Sequence, residues 1–310
     1  MTPWEVFAVR YARGDHAKRS TNFIGGDPHD APMPLDYFVW AIKSPTRTII
    51  LDTGFDEAMG KKRSRQFVRC PSVGLKAIGV EPDKVSDVIL SHMHYDHCGN
   101  YEMFPAARYH VQDSEMAYCT GRCICHAGLR GPFEEEDVVA MVRKVFAQRV
   151  QFHDGEGQVA PGVTLHHVGG HSKGLQITRV FTQRGWMVLA SDASHFYANF
   201  EEGRAFPILH SHEDTLNGYE TMKRLSDQKN GIIPGHDPLI LARYPTVAAG
   251  LEDVVGTGTR LEAAVTPELL DKLDKGGAKP TYLDSAAMRA QIDMESKYFG
   301  DVIKRANIKV

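Results

Sequence analysis

One short segment, residues 91–99, constrains this chain more than any other part of its sequence. It follows an apolar run and reads Ser-His-Met-His-Tyr-Asp-His-Cys-Gly. In an extended segment His92 and His94 point the same way, because strand side chains alternate with period two. A turn into a helix would bring Asp96 and His97 round to the same space. The spacing therefore predicts four converging metal donors; a polar loop that happens to be rich in histidine is the alternative interpretation.

Three single residues add donors of the same kind where other predicted strands end. His171 lies in a turn, Gly-Gly-His-Ser-Lys-Gly, Asp192 ends the strand 186–191, and His236 stands in Pro-Gly-His-Asp after a short strand. Taken singly, each is more often a solvated turn residue. Taken with the dense motif, they predict seven ligand residues at one site. Imidazole together with carboxylate suits zinc and tolerates iron, manganese or nickel.

Strand-like runs alternate with turns and helices along the chain, without an internal repeat. The predicted strands are residues 46–51, 85–90, 163–168, 174–182, 185–190 and 231–233, and the predicted helices are 134–150 and 214–226. The runs 61–69 and 119–132 are expected to be insertions or long loops. We expect one domain over residues 1–310, with insertions near 55–75 and 113–150 and a helical C-terminal extension over 257–310 that includes a helix at 284–304.

Composition argues against several classes of protein. The 310 residues contain 36 Lys and Arg against 39 Asp and Glu, a net charge of −3, which argues against binding to nucleic-acid phosphates. No apolar stretch approaches the roughly 20 residues that a membrane helix needs, and no secretory signal is visible at the N-terminus. Five cysteines, an odd number, suit a reducing compartment. We expect a cytoplasmic protein with neither membrane insertion nor a nucleic-acid partner.

The order of the seven donors resembles a known family. The motif His-x-His-x-Asp-His at 92–97, then His171, Asp192 and His236, is similar to the metallo-β-lactamase superfamily over residues 46–236. The resemblance implies an α/β fold, an αββα sandwich of two mixed β-sheets flanked by helices, with metals at one edge. Asp52, in Leu-Asp-Thr-Gly, matches the family's early aspartate, which implies a hydrogen bond to a ligand imidazole.

Within that superfamily the sequence most resembles the N-acyl homoserine lactonases. Carried over to this chain, the resemblance implies two metal sites with these ligands: His92, His94 and His171 for one, Asp96, His97 and His236 for the other, and Asp192 bridging them. One position departs from the pattern. The lactonases carry a tyrosine three residues after the bridging aspartate, where it contacts the substrate carbonyl; here that position is His195, and the nearest tyrosine is Tyr197.

These residues predict a dinuclear metal-dependent hydrolase. Two divalent ions, zinc first and iron, manganese, cobalt or nickel as alternatives, would share a water and lower its pKa, so that a bridging hydroxide attacks a lactone carbonyl. The candidate catalytic residues are Asp96, Asp192 and His195, the last being either a donor in the substrate pocket or a structural histidine. Phe196 and Tyr197 are candidate substrate contacts. The expected partners are a small lactone or ester substrate and a second copy of the chain in a homodimer.

Several alternatives remain open at this stage. The same site could act on an amide, a thioester, a β-lactam or an aryl lactone, or could belong to an iron-dependent redox enzyme of the same fold. Cys119, Cys123, Cys125 and His126 lack the paired spacing of a structural zinc site, so we expect loop cysteines there. The basic run 61–69 could bind an anionic substrate or a partner, although such runs are more often solvated loops.

Overall fold

Two β-sheets form the framework of residues 1–228, 230–248 and 250–258, the part of the chain that the computed structural model describes. In chain order the strands are β1 (Glu5–Gly14), β2 (Leu35–Lys43), β3 (Thr48–Leu51), β4 (Gln66–Phe67), β5 (Asp87–Ile89), β6 (Arg108–Gln112), β7 (Val150–His153), β8 (Glu156–Ala160), β9 (Val163–His167), β10 (Gln176–Thr182), β11 (Gly185–Ser191), β12 (Ile232–Pro234) and β13 (Val254–Gly256). The first sheet has the order β13-β1-β2-β3-β5-β6-β7, with β4 paired to β1, and the second has the order β12-β11-β10-β9-β8.

Helices cover the outer faces of the sheets. The α-helices are α1 (Glu57–Lys62), α2 (Pro71–Ala77), α3 (Tyr95–Cys98), α4 (Asp113–Cys119), α5 (Ala127–Arg130), α6 (Glu135–Phe146), α7 (Tyr197–Glu202), α8 (His212–Leu225) and α9 (Leu239–Arg243). Single turns of 3-10 helix lie at Arg19–Thr21, Pro82–Lys84, Tyr101–Met103 and Arg122–Cys125. Among the described helices, none has both the length and the apolar character to cross a membrane.

Alternating side chains of the first sheet fill two separate cores. On β3, Ile49 and Leu51 join a core that the second sheet and α8 complete, whereas Ile50 faces a core completed by Leu75 of α2 and Met141 of α6. Successive strand residues point to opposite faces, which is why one strand supplies both cores. The layers are helix, sheet, sheet, helix, so the predicted αββα sandwich with two mixed sheets is confirmed.

Parallel pairing determines where the functional loops meet. Strands β3, β5 and β6 run parallel to one another in the first sheet, and β11 runs parallel to β12 in the second. The carboxyl ends of parallel strands lie at one edge of a sheet, where open α/β sheets bind ligands in a crevice. The loops after β3, β5, β11 and β12 are therefore gathered at one edge of the sandwich.

The six predicted strands occur in the structure with ends shifted by one or two residues, but other elements differ from expectation. The helix predicted over 134–150 ends at Phe146, because Gln148 has a φ of 58° and Val150 begins a strand parallel to β6. Residues 61–69, expected to be a loop, contain β4, whose Phe67 pairs with Ala12 of β1. The region 113–150 likewise contributes core residues through α4 and α6. Besides β4, the strands β1, β2, β6, β7, β8 and β13 lie outside the six strands predicted from the sequence.

The described residues all belong to one structural unit, Met1–Leu261. Most of the predicted C-terminal extension, 257–310, and all of the helix predicted at 284–304 lie outside the described residues. The single-domain boundary and the homodimer therefore stay predictions.

Candidate metal centre

Both sheets contribute loops to one cluster of donors. The loop after β5 is extended through His92 to His94 and then enters α3, which carries Asp96 and His97. The second sheet supplies three more donors from the ends of its strands: His171 between β9 and β10, Asp192 after β11, and His236 after β12. Six of the seven are buried, and Asp96 is half-buried. The structure thus brings together all seven residues that the sequence singled out.

The potential donor atoms lie close enough together to hold a metal ion. His94 Nδ1 lies 2.8 Å from His171 Nε2, and His236 Nε2 lies 3.8 Å from Asp96 Oδ2. Four sets of residues have potential ligand atoms within 4.8 Å of one another: His92, His94 and His171; His92, His97 and Asp192; Asp96, His97 and His236; His171, Asp192 and His195. The first and third sets are the two ligand groups that the family resemblance implies. Asp192 belongs to the second and fourth sets, which share histidines with those two groups.

Asp192 lies between these two groups and presents one oxygen to each. Its Oδ2 is 3.1 Å from His171 Nε2, while its Oδ1 is 2.9 Å from His236 Nε2 and 3.2 Å from His97 Nε2. Burial would raise the pKa of Asp192, but the surrounding imidazoles, His195 and His236 first, hold it well below its ordinary value. The carboxylate is therefore ionised and can face two cations at once.

Two imidazole nitrogens show that the cluster fits a cation. His92 Nε2 and His97 Nε2 are buried and form no hydrogen bond in the described part of the chain, the 3.2 Å contact of His97 Nε2 with Asp192 Oδ1 being an ion-pair contact without hydrogen-bond geometry. Buried polar atoms without partners cost free energy, and a metal ion between them would remove that cost. Burial lowers the pKa of His92 well below its ordinary value, and neighbouring imidazoles lower it further. That residue is thus the neutral imidazole that metal ligation needs.

Asp52 orients one of these imidazoles. It follows β3 with a φ of 62°, and its Oδ2 lies 2.8 Å from His97 Nδ1. Ser91 donates to the same carboxylate from its backbone N–H at 2.8 Å and from its hydroxyl at 2.9 Å. Because Nδ1 of His97 is engaged in this way, Nε2 is left to face the centre. The contact is of the kind that the resemblance implies for Asp52.

Glu115 is a buried residue beside the candidate site that sequence reasoning missed. It lies on α4 with no exposed surface, and its carboxylate accepts from Met93 N at 2.8 Å, Ser172 Oγ at 2.7 Å and Gly174 N at 2.8 Å. These donors lie beside His92, His94 and His171, on loops from different sheets. Burial raises the pKa of Glu115, and the three donors oppose that rise by stabilising its ionised form. One buried carboxylate therefore holds both ligand loops together. No local signal marks it, since its partners are distant in sequence.

His195 lies against the centre, whereas its two neighbours do not contact the cavity. His195 Nε2 is 3.1 Å from Asp192 Oδ2, and its ring stacks on Phe206 with centroids 3.6 Å apart. Phe196 is buried in the core beneath the first sheet, and Tyr197 is buried in the core between the sheets, where Arg243 lies over its ring at 3.7 Å. The expectation that Phe196 and Tyr197 contact substrate is therefore corrected: the start of α7 turns both rings into the interior.

A cavity of ≈ 540 Å³ opens over the donors. Its lining includes His195 and five of the candidate ligands, namely His94, Asp96, His171, Asp192 and His236. The apolar part of the lining is formed by Leu35, Leu129, Pro132, Phe206, Pro207, Ile208 and Leu209, and the remaining part by three tyrosines and two arginines, Tyr37, Tyr95, Tyr118, Arg63 and Arg65. A concave site with a few convergent polar groups is typical of small-molecule binding. The arrangement can hold an organic substrate directly over the donor cluster.

An αββα sandwich with histidine and aspartate donors at the shared edge of its sheets defines a class of metal-dependent hydrolases. The chain belongs to the metallo-beta-lactamase superfamily, whose family model matches residues 33–236. This confirms the family that its motif resembles, and we class the chain with the metal-dependent hydrolases of that superfamily.

Several known proteins that are similar to this chain are N-acyl homoserine lactonases. N-acyl homoserine lactonase AiiB of Agrobacterium fabrum is 27% identical over 220 residues, which cover 64% of this chain and 78% of that protein. N-acyl homoserine lactonase AiiA of Bacillus thuringiensis subsp. kurstaki is 30% identical over 165 residues, 53% of this chain and 60% of that protein. The crystal structure of a quorum-quenching N-acyl homoserine lactone lactonase, 25% identical, covers 77% of this chain and 94% of that chain at a TM-score of 0.63. The predicted similarity to N-acyl homoserine lactonases is confirmed.

Proposed function

We propose that this chain is a dinuclear metal-dependent lactonase that opens an N-acyl homoserine lactone or a related ester ring. The observation that carries the proposal is the position of Asp192, with Oδ2 toward His171 and Oδ1 toward His97 and His236. A carboxylate between two groups of donors suits a pair of cations better than a single one. The similarity to lactonases supports the choice of substrate class.

Each donor group would hold one ion. His92, His94 and His171 would hold the first, Asp96, His97 and His236 the second, and Asp192 would bridge them. When bound, the ions would lower the pKa of a shared water, so that hydroxide is available near neutral pH to attack a lactone carbonyl that they polarise. Among divalent ions, zinc is our first assignment because it prefers imidazole and carboxylate; iron, manganese, cobalt and nickel are the alternatives.

Side chains of this protein would orient a metal ligand, carry a proton and donate to the developing oxyanion. Asp52 fixes the ring of His97 through the contact with Nδ1. Asp192 is our candidate for carrying a proton to the leaving alkoxide, since it lies in the cavity lining. His195 contacts Asp192 and lines the same cavity, a position that suits a donor to the developing oxyanion or a proton-transfer group. The stacked ring of Phe206 limits rotation of His195.

We also propose that the protein is cytoplasmic and forms a homodimer. All five cysteines are free, which fits a reducing compartment such as the cytoplasm. A small-molecule lactone is the proposed partner, and the homodimer predicted from residues 284–304 remains to be tested by measuring the mass of the protein in solution.

A pH-indicator screen with metal quantified in the same preparation tests the proposal. We expect acid release from homoserine lactones, two metal ions per chain, and loss of activity after chelation that Zn²⁺ restores. Asp192→Asn should abolish turnover, whereas Asp154→Asn, an exposed position with the same change of charge, should not. Full activity of metal-free protein would overturn the proposal. Faster turnover of thioesters, amides or β-lactams would reassign the substrate, and oxygen consumption by an iron-loaded protein would indicate redox chemistry instead.

A further inference from the structure

The basic run at 61–69 is a sequence feature that has no role in the proposed function. It contains Lys61, Lys62, Arg63, Arg65 and Arg69. Lys62 and Arg63 both pair with Glu134, at 2.7 Å and 3.0 Å, and Arg69 pairs with Asp253. Three of the five cations thus pair with carboxylates, two of them with the same one, and Lys61 lies exposed on α1.

Arg65 differs from these residues in both position and partners. Its side chain is half-buried and lines the cavity over the metal donors. No carboxylate within the described ranges forms a salt bridge with it. Its Nε donates to Tyr95 Oη at 3.4 Å, and its guanidinium lies 5.8 Å from the centre of the Tyr37 ring. A cation with only phenol and ring contacts keeps most of its capacity to bind an anion.

The neighbouring phenols do not neutralise that charge. Tyr37 contacts Arg65 through its ring and Tyr95 through its hydroxyl, and neither side chain supplies a carboxylate. The carboxylates that line the cavity are Asp96 and Asp192, and the proposed metal ions would offset both. Arg65 is therefore the cavity-lining cation whose charge has no protein counter-ion when the centre is loaded.

The backbone fixes Arg65 close to the metal centre. Its N–H donates to Gly60 O at 2.8 Å, and the next residue begins β4, which pairs with β1. The Tyr37 ring beneath its guanidinium packs edge-on against His236, with centroids 5.0 Å apart. One aromatic ring thus separates the cation from a metal ligand, so a single small molecule can reach both.

We propose that Arg65 and the hydroxyl of Tyr95 form a carboxylate-binding subsite. This subsite selects lactones whose ring carries a carboxylate group. The planar guanidinium fork matches a carboxylate with two parallel N–H···O bonds. The inference rests on the proposed lactonase function for its substrate and deepens it by naming a substrate class.

A matched pair of substrates tests the subsite. The metal-loaded, full-length protein is assayed with a γ-lactone bearing a ring carboxylate and with the corresponding carboxamide, which has nearly the same shape without the charge. We expect a preference for the carboxylate in kcat/KM that falls roughly 10- to 100-fold in Arg65→Gln, the loss expected for a charge-assisted bidentate contact. Arg65→Lys should give an intermediate ratio, and Lys61→Gln, with the same loss of charge outside the cavity, should retain the parent ratio.

Binding separates failure of the subsite from failure of the proposed function. Tetrahydrofuran-2-carboxylate has no bond to hydrolyse, and calorimetry measures its affinity for the parent and for both Arg65 variants. If neither lactone is opened but Arg65→Gln weakens this ligand by about tenfold or more, the lactonase proposal fails and the subsite stands. If the parent opens both lactones without preference, or Arg65→Gln leaves the affinity unchanged, the subsite is overturned. Should Arg65→Gln fail to fold, Arg65→Lys decides by the same two measurements.

Discussion

Replacing Glu115 with glutamine should weaken both the fold and the metal centre. The Glu115 side chain has no exposed surface, and its Oε2 accepts from Ser172 Oγ and Gly174 N while Oε1 accepts from Met93 N. In Glu115→Gln the amide oxygen can retain the two donors of the histidine turn. The amide NH₂ then faces the N–H of Met93, so that two donors meet and neither has an acceptor.

The magnitude follows from these two buried donors, each of which is left without an acceptor. Such a group costs about 1–3 kcal/mol, and neutralising a buried carboxylate returns part of that cost. For a domain of this size we expect the Tm to fall by roughly 2–10 °C. Met93 lies between His92 and His94, so its displacement moves two metal ligands. Loss of a group that supports ligands typically lowers metal affinity about 10- to 100-fold.

Two measurements on each variant test this prediction. Thermal unfolding gives the Tm, and competition with a chromophoric chelator gives the affinity for Zn²⁺. Glu136→Gln, an exposed position at the start of α6, removes the same charge and should change both quantities little. Parent-like Tm and affinity in Glu115→Gln would refute the role of Glu115. A lower Tm with unchanged affinity would show that the carboxylate stabilises the fold without positioning the ligands.

Three further predictions concern metal, pH and ligand orientation. Zn²⁺ at about 100 times its Kd should stabilise the protein by about 2.7 kcal/mol for each ion bound, and the resulting rise in Tm should be reversed by chelator. A Tm that does not respond to metal would contradict the proposed centre. Burial raises the pKa of Asp137 to about 7. Asp137 is therefore protonated in the folded protein at pH values where it is ionised in the unfolded chain. Its contribution to the free energy of unfolding accordingly falls as pH rises from about 4 to 7. Asp137→Asn should therefore raise the Tm by a few degrees at pH 8 and hardly at all at pH 4, and equal effects at both pH values would contradict the assignment. Asp52→Asn should keep the fold but bind Zn²⁺ about 10- to 100-fold more weakly. The reason is that an amide cannot accept hydrogen bonds from both Ser91 and His97 as the carboxylate does. Parent-like affinity for Zn²⁺ would argue against a role of Asp52 in orienting His97.

The sequence predicts the centre well where donors are close together and poorly where contacts are long-range. Alternation within a strand followed by a turn is enough to bring His92 and His94 to one side, and a family pattern adds the distant ligands. Glu115 reaches Ser172 across 57 positions, a contact that no local periodicity encodes. The same limit applies to Arg65, which in the sequence is one of five similar charges and differs from them in the position and the partners that folding gives it.

Errors in the remaining expectations have local physical causes. The helix over 134–150 has an apolar stripe that continues past its real end, and the stop at Phe146 comes from a non-glycine residue, Gln148, with positive φ. Phe196 and Tyr197 stand next to a catalytic candidate in sequence, yet the short α7 turns each ring toward a different core. Proximity along the chain therefore indicates the loop that carries a function but not the direction of its side chains.

The two sheets are joined at the site edge by contacts that need no metal. Ser91 Oγ after β5 and Ser191 Oγ at the end of β11 lie 2.8 Å apart, and the Gln176 side chain of β10 donates to Leu90 O at 2.7 Å. Asp36 of β2 donates its N–H to His236 O at 2.9 Å, which ties the last ligand to the first sheet. Because these bonds hold ligands from both sheets in place, binding a cation does not have to supply the free energy of assembling them. Metal removal should accordingly lower the Tm while leaving the fold intact, unlike small domains that unfold without their metal.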